Sequence, residues 1–405
     1  MKVALVYHFF PHYRAAVLRE LLQSPEHEYF LVADERGTEP SVRTWDVLDQ
    51  KRFCSAPCRK LFSSFLFQKG LFALALRKDL DGLVYLGNPY FLSTWISALT
   101  ARLCGKRVLF WTHGWTRQEK GLKAWLRVSF YKLSHALLLY GHFAKMTGLA
   151  KGFAKEKLHV IYNSLDYEQQ RTIRERLSGQ NSTAVKAEYF DRPELPMVIC
   201  SARLTQACRF DLLLRAQARL RDEGHMINVL LIGDGPERSS LQSQAARLRI
   251  PVKFLGACYD ELTLARLTIA AHATVSPGKV GLTAIHSLAY DTPVITHDDY
   301  AAQGPEWEAI VPGRTGALFR SGDADDLARV VKEWTSIEAP PPETRAECHK
   351  ILDKFYNPIF QRRAIDRAVS GAPADDLFWM RTAPSASLPT DEGSEQTMKE
   401  TPVAA

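Results

Sequence analysis

The chain of 405 residues contains no apolar run of the about 18 residues that a membrane-spanning helix needs. The stretch LFSSFLFQKGLFALALRK comes closest, and Gln68 and Lys69 interrupt it. Cysteine is sparse: seven residues, an odd number, are scattered along the sequence. That pattern argues against a disulfide framework and for a reducing compartment. Cys54 and Cys58 form C-x-x-x-C, but no second Cys/His pair lies nearby to complete a zinc site. Dense Lys/Arg tracts interleaved with aromatics are missing too, which makes nucleic acid the weakest candidate partner. The opening MKVALVYHFF lacks a small-residue cleavage site, so it reads as a first strand rather than a signal peptide. No G-x-G-x-x-G follows that strand, which argues against a nicotinamide oxidoreductase.

What is present is a globular composition, with 46% hydrophobic residues and a formal net charge of +7. The length suffices for two domains, and the basic excess suits nucleotides or an anionic phospholipid surface. Strand-like and helix-like segments alternate twice along the chain, which predicts two doubly wound α/β domains. The first reading covers 1–170, with a polar linker at 171–194 and a second α/β domain at 195–340. PPP at 340–342 breaks the chain, terminal helices are expected over 343–370, and 371–405 reads as a disordered tail. Helices are expected to run through LKAWLRVSFYKLSHALLLYG, residues 122–141.

Ligands of open α/β sheets bind beyond the carboxyl ends of the strands, so loops that follow strands matter most. In HFFPHYR, the residues His12, Tyr13 and Arg14 offer polar reach at a helix start. FWTHGW puts His113 at a strand end and Trp115, an indole able to stack on a sugar face, close behind. SARLTQACRF supplies Arg203 and Arg209, whose guanidinium forks suit phosphate but serve equally as solvated charges. LIGDGPE carries Gly233 and Gly235, consistent with a close ligand or with a plain turn. SPGKVGLTAIHSLAYDTPVIT has the most context. Gly278 and Gly281 let the backbone close in, and Lys279 faces phosphate or water. The free N–H groups at Gly281, Leu282 and Thr283 open a helix that favours an anion, and His286 follows on the same face. Asp298–Asp299 and Asp323-x-Asp325 do not read as metal sites, because neither sits at a strand end facing the expected cleft.

In order, WTHG, VIYNSLD, SARLTQACRFDLLLRA, LIGDGPE, VKFLG and the 276–296 stretch resemble glycosyltransferase family 4 over residues 107–320. The resemblance implies the GT-B fold, two facing Rossmann-like domains with a C-terminal helical segment. It implies a retaining transferase that moves a sugar from a nucleoside-diphosphate sugar to a glycan or lipid-linked acceptor. No metal cofactor is expected. Donor binding falls to the second domain and acceptor binding to the first, with His12, Tyr13, Arg14 and Trp115 assigned to the acceptor. Arg203 falls on the family's diphosphate arginine. Cys208 stands where a lysine is usual, and Arg209 beside it offers the missing charge. His113 lies near the reacting sugar and is the candidate catalytic residue. The family often carries two glutamates eight positions apart, at the sites of Gly278 and His286 here. His286 is thus assigned to the ribose, and Gly278 and Lys279 to the donor-sugar loop. Asp291 replaces the usual helix-ending Gly, which strains that turn. The implied setting is cytoplasmic, at the inner face of a membrane, in bacterial surface polysaccharide or lipopolysaccharide synthesis. The alternative is a degenerate protein that binds nucleotide sugar without turnover.

One segment bears on location. Residues 120–141 combine Lys120, Lys123, Arg127 and Lys132 with Leu122, Trp125, Leu126, Phe130 and Leu133 at helical spacing. Such a helix suits either a core edge or a peripheral face resting on anionic lipid.

Overall fold

A computed structural model describes residues 1–36, 44–45, 52–61, 65–115, 121–337 and 340–375. Residues 376–405, most of the segment read as a tail, and Lys120 lie outside the described residues.

The first half contains β1 (Lys2–Val6), α1 (Ala15–Leu22), β2 (Glu28–Ala33), β3 (Phe53–Ser55), β4 (Cys58–Lys60), β5 (Leu66–Gln68), α2 (Leu71–Leu76) and β6 (Gly82–Leu86). It continues with α3 (Leu92–Leu103), β7 (Arg107–Thr112), α4 (Gly121–Tyr131), β8 (Ala136–Leu139), α5 (His142–Ala150) and β9 (Leu158–Val160). Among the described residues, seven of these strands form one sheet in the order β3-β2-β1-β6-β7-β8-β9. Every pairing in it is parallel, for example Val3 opposite Tyr29 and Leu83 opposite Val108. Strands β4 and β5 pair antiparallel beside it.

Helices α6 (Tyr167–Arg176) and α7 (Ser182–Ala187) connect the halves, where the sequence suggested a polar linker. The second half contains β10 (Met197–Ser201), α8 (Phe210–Asp222), β11 (Asn228–Ile232), α9 (Arg238–Leu248), β12 (Val252–Gly256), α10 (Glu261–Ile269), β13 (Ala273–Ser276), α11 (Leu282–Ala289), β14 (Val294–His297), β15 (Gly316–Phe319) and α12 (Ala324–Thr335). Its parallel sheet runs β12-β11-β10-β13-β14-β15. Two further helices, α13 (Pro342–Lys354) and α14 (Pro358–Ser370), follow.

Sheet order follows from burial. Interior strands such as VALV in β1 and VLLI in β11 are apolar on both faces, as a parallel sheet covered by helices requires. Helices α2, α3 and α4 cover one face of the first sheet, where Leu74, Ala98 and Phe130 pack on Leu83, Tyr85 and Phe110. Helices α1 and α14 cover the other: Ile365, Ala368 and Val369 join the core of β1, β2 and β7. The C-terminal helix therefore belongs to the packing of the first sheet. Asp366, fully buried, accepts hydrogen bonds from Tyr29 Oη (2.7 Å) and Ser24 Oγ (3.0 Å) and pairs with Arg362.

One expectation is corrected. Residues 136–139, read as part of a helix through 122–141, form the buried strand β8 between β7 and β9. A continuous apolar run such as ALLL has no period of its own, so periodicity alone does not separate buried strand from buried helix. At the end of α11, Asp291 takes the left-handed conformation with φ 62°, and its carboxylate lies against His349 of α13.

Candidate active site

Two cavities meet at Ser201, at the carboxyl end of β10. The first, of about 430 Å³, lies wholly within the second domain, between Arg203, the Gly233–Gly235 turn and residues 257–259. The second, of about 440 Å³, brings His12, Tyr13 and Arg19 of the first domain against Glu261, Leu282, Thr283 and His286. Gln169 and Gln170 of α6 complete its wall.

Glycines fix the floor between them. A Cβ on Gly233 would sit 1.9 Å from Ala202 O, and one on Gly278 would sit 2.1 Å from Ala207 O. These residues make room for the neighbouring 202–208 backbone itself. The amides of Gly278 and Lys279 donate to Cys208 O (3.0 Å) and Ala207 O (3.1 Å), so both are already engaged. Gly281 differs, for it opens α11 without a side-chain cap, and Leu282 and Thr283 in the first turn line the second cavity. The positive end of that helix therefore borders the second cavity, with Glu306 Oε2 4.0 Å from where a Cβ on Gly281 would sit. Thr283 Oγ1 donates to Ser201 O at 3.0 Å, which ties α11 to β10.

The two arginines behave differently. Arg203 is exposed at the first cavity and, among the described residues, its guanidinium has no hydrogen-bond or ion-pair partner. Arg209 sits in the left-handed conformation at φ 49° and forks onto Asp211, with bonds of 3.0 and 3.2 Å. The charge expected to stand in for the missing lysine is thus already paired within α8's first turn.

His286 and Glu261 form a pair that sequence reasoning missed. His286 Nε2 lies 3.2 Å from Glu261 Oε1, off the line of a full hydrogen bond. Tyr290 Oη (2.6 Å) and Gln170 Nε2 (3.2 Å) donate to the same carboxylate oxygen. Burial alone would raise the Glu261 pKa, but these neighbours outweigh it and hold the carboxyl at about 2. A carboxylate ionised at neutral pH therefore lines the second cavity beside His286.

Further into the first domain, His113 is accessible to solvent yet crowded by protein. Its ring lies 4.7 Å from that of Tyr140. That crowding, with Arg14 and Lys279, lowers its pKa to about 3. The imidazole is neutral at physiological pH and serves as a hydrogen-bond donor or acceptor. Arg14 itself is buried among Tyr7, Trp111 and Tyr140, with its carbon 5.0 Å from the Trp111 ring centre and a hydrogen bond to Tyr140 Oη. It shapes the field of the cleft from behind, whereas His12 and Tyr13 stand at the cavity wall. Trp115 is corrected as an acceptor platform. It is 2% exposed, packs edge-on against Tyr131 at 5.1 Å and lies close over Gly148, inside the core.

A strap over 303–308 joins the domains. Gln303 Oε1 accepts from Val280 N (2.7 Å) and fixes the loop before α11. Asn163 Nδ2 donates to Glu306 Oε1 (2.8 Å). Glu308 receives the amides of His142 and Phe143, both at 2.8 Å, at the N-terminus of α5. Burial raises the Glu308 pKa to about 7 against the pull of those amides, and burial raises Glu306 as well. No three His, Cys, Asp or Glu side chains are grouped to hold a metal ion among the described residues. Asp298, Asp299 and Asp323 instead accept backbone amides.

Comparison with known proteins agrees with this layout. Curated relatives from two strains of Mycobacterium tuberculosis, each named GDP-mannose-dependent alpha-(1-6)-phosphatidylinositol dimannoside mannosyltransferase, are 30% identical over 111 residues. That match covers 27% of this chain and 29% of the relatives' length. A lipopolysaccharide outer core galactosyltransferase, WaaB, superposes with a TM-score of 0.67 at 16% identity over 91% of this chain and 99% of its own. HepE of Anabaena, solved in complex with UDP, gives 0.67 at 14% identity over the same shares. Residues 182–353, which hold Arg203, Glu261, α11 and the strap, match the family described as glycosyl transferases group 1. The chain thus has the GT-B fold, and the match to glycosyl transferases group 1 spans less than half of its length.

Proposed function

We propose that this protein is a retaining glycosyltransferase that moves a sugar from a nucleoside-diphosphate sugar to a glycan or lipid-linked acceptor. The observation that carries the reading is the junction of the two cavities at Ser201. There an unpartnered arginine, an open helix N-terminus and a fixed carboxylate converge. In this reading Arg203 and the first turn of α11 neutralise the diphosphate as it departs, the largest electrostatic task of such a reaction. Glu261 and His286 receive the ribose hydroxyls. Lys279 and neutral His113 border the donor sugar, and His12 and Tyr13 border the acceptor. No protein nucleophile is assigned: Gly278 has no side chain and its amide is engaged.

The names of the curated relatives, which specify a phosphatidylinositol dimannoside, favour a lipid-linked acceptor; the reading places the reaction in bacterial surface glycan synthesis at the inner face of a membrane. A second reading, a nucleotide-sugar-binding protein without turnover, draws on the closed amides at Gly278 and Lys279. Incubation with UDP- and GDP-sugars separates the two. Loss of sugar from any donor supports the enzyme, while tight binding without loss supports the second reading.

A further inference from the structure

Helix α3 is built inside out. Its inward face carries Ser93, Thr94, Ser97, Ala98 and Ala101, all buried. Its outward face carries Leu92 (37% exposed), Ile96 (53%), Leu99 (50%) and Leu103 (81%). Those four recur at the spacing of a single helical stripe about 16 Å long at 1.5 Å per residue. The helix has no freedom to roll them inward. Ser97 Oγ donates to Leu71 O (2.6 Å) and meets Tyr85 Oη (2.7 Å), and Ser93 Oγ accepts from Gln68 N (2.9 Å).

The neighbouring helices extend the stripe. Phe72 and Leu76 of α2 are exposed on one side, and Leu122 and Trp125 of α4 on the other. All three helices lie on the same face of the first sheet, and Trp95 of α3 contacts Phe130 of α4 at 4.9 Å. Of the fourteen exposed large apolar side chains among the described residues, ten lie between Leu61 and Trp125. An apolar surface this concentrated marks a contact rather than ordinary scatter.

Charge identifies what the contact is. Residues 59–132 hold 13 Lys and Arg against 3 Asp and Glu, a balance of +10; of the basic residues, Lys106 is buried and Arg107 reaches Ala368 O of α14 on the opposite face. The whole chain is +7, so everything outside this segment is −3. Exposed Lys69 and Lys78 bracket α2, and Arg102 and Lys123 flank the stripe. A second copy of this chain would set like charge against like across a two-fold contact, which is unfavourable. An anionic bilayer satisfies both features at once, since leucines and tryptophan enter the headgroup boundary while basic side chains meet phosphate.

We infer that α2, α3 and α4 form one face that docks on anionic lipid. This rests on the glycosyltransferase reading only for its purpose. The stripe starts at Leu92, next to Phe91, whose ring lies 5.6 Å from that of His8 just past β1, and His12 and Tyr13 of the second cavity follow on the same connection.

The test is co-sedimentation of the full chain with vesicles of phosphatidylcholine containing one third phosphatidylglycerol, and with phosphatidylcholine alone. The wild type is expected to bind the anionic vesicles at low salt and to release at high salt. Ile96→Gln/Leu99→Gln/Leu103→Gln is expected to weaken that binding on the order of tenfold or more, and Lys69→Glu/Lys78→Glu to weaken it at low salt only. A wild type that ignores anionic vesicles, or a triple variant that binds them as the wild type does, overturns the inference. So does a wild-type dimer that the triple variant converts to monomer, because the face is then a protein interface. UDP and GDP titrations of the wild type keep the two readings apart: a wild type that binds nucleotide but ignores anionic vesicles sinks only the docking face, and one that docks but binds no nucleotide sinks only the enzyme.

Discussion

Glu261 Oε1 stands 3.2 Å from His286 Nε2, so a carboxylate from α10 reaches the place where the family resemblance expects one on α11. Tyr290 and Gln170 hold that carboxylate in position from two further elements. In the proposed reading Glu261 takes over the ribose contact, and His286 is its neighbour rather than its substitute. Glu261→Ala is expected to weaken nucleoside-diphosphate binding by about 1.5–3 kcal/mol, the range for a charged hydrogen bond. His286→Gln should keep most donor affinity, and His286→Leu should lose much of it. The ribose assignment has its own control: a 2′-deoxynucleotide should bind the wild type more weakly than the ribonucleotide, and Glu261→Ala should erase the difference. An unchanged ratio would move Glu261 away from the ribose.

Arg203 and Arg209 should part company. Arg203→Ala removes a cation with no internal partner and is expected to cost about 1.5–3 kcal/mol of nucleoside-diphosphate affinity. Arg209→Gly removes an exposed pair with Asp211, worth about 0–1 kcal/mol, and relieves a left-handed residue. Its nucleotide affinity should stay within about twofold of the wild type, which is less than 1 kcal/mol. Calorimetric titration with UDP and GDP decides, and equal losses in the two variants would return Arg209 to the diphosphate site.

The interdomain strap gives a pH signature. Glu308 is raised from an ordinary value near 4.5 to about 7 by burial. Such a carboxyl contributes stability that is complete below pH 4.5 and is lost as pH climbs through 7. His8, His142 and His159, all lowered to about 4 by burial, contribute in the opposite sense, and that contribution is lost as pH falls below 6.5. The wild-type curve sums both, so the informative quantity is a difference. Glu308→Gln should gain stability relative to wild type between pH 4.5 and 7 and hold it above, by up to about 3 kcal/mol at about 1.4 kcal/mol per pKa unit. A difference that stays flat with pH, measured by denaturant melts, would show that folding leaves the Glu308 pKa unshifted.

Chelation should change nothing. In the proposed reaction Arg203 and the α11 N-terminus carry the diphosphate charge, so EDTA is expected to leave donor consumption unaltered. A loss that added magnesium or manganese restores would assign that charge to a metal instead.

Much of the second domain was legible because its loops are short and each follows a strand with a clear apolar run. The opening of α11 at Gly281–Thr283 could be read from glycine placement and a following helical pattern. Glu261 could not. In sequence it is an ordinary first-turn residue behind the N-cap Asp260, and only the packing of α10 beside α11 and α6 brings it to His286. The signal available was an acidic residue opening the helix after a strand end, which is too common to single out. Trp115 misled for the reverse reason: an indole after a strand-end histidine suggests a sugar platform, but the turn at Gly114, with φ 67°, carries it back into the core. In α3 the outward leucines match a buried stripe by spacing alone. Only the serines pinned inward show which face is outside.

The most direct measurement is the fate of a nucleotide sugar. The purified chain is incubated with a panel of UDP- and GDP-sugars and lipid-linked or glycan acceptors, and proton NMR follows the anomeric signals. The expected result is that one α-linked donor is consumed, nucleoside diphosphate is released and the sugar appears on an acceptor with its α configuration kept. Nucleoside diphosphate binding at the Ser201 junction with every donor left intact would contradict it and make this a binding protein. A product of inverted configuration would contradict the retaining chemistry.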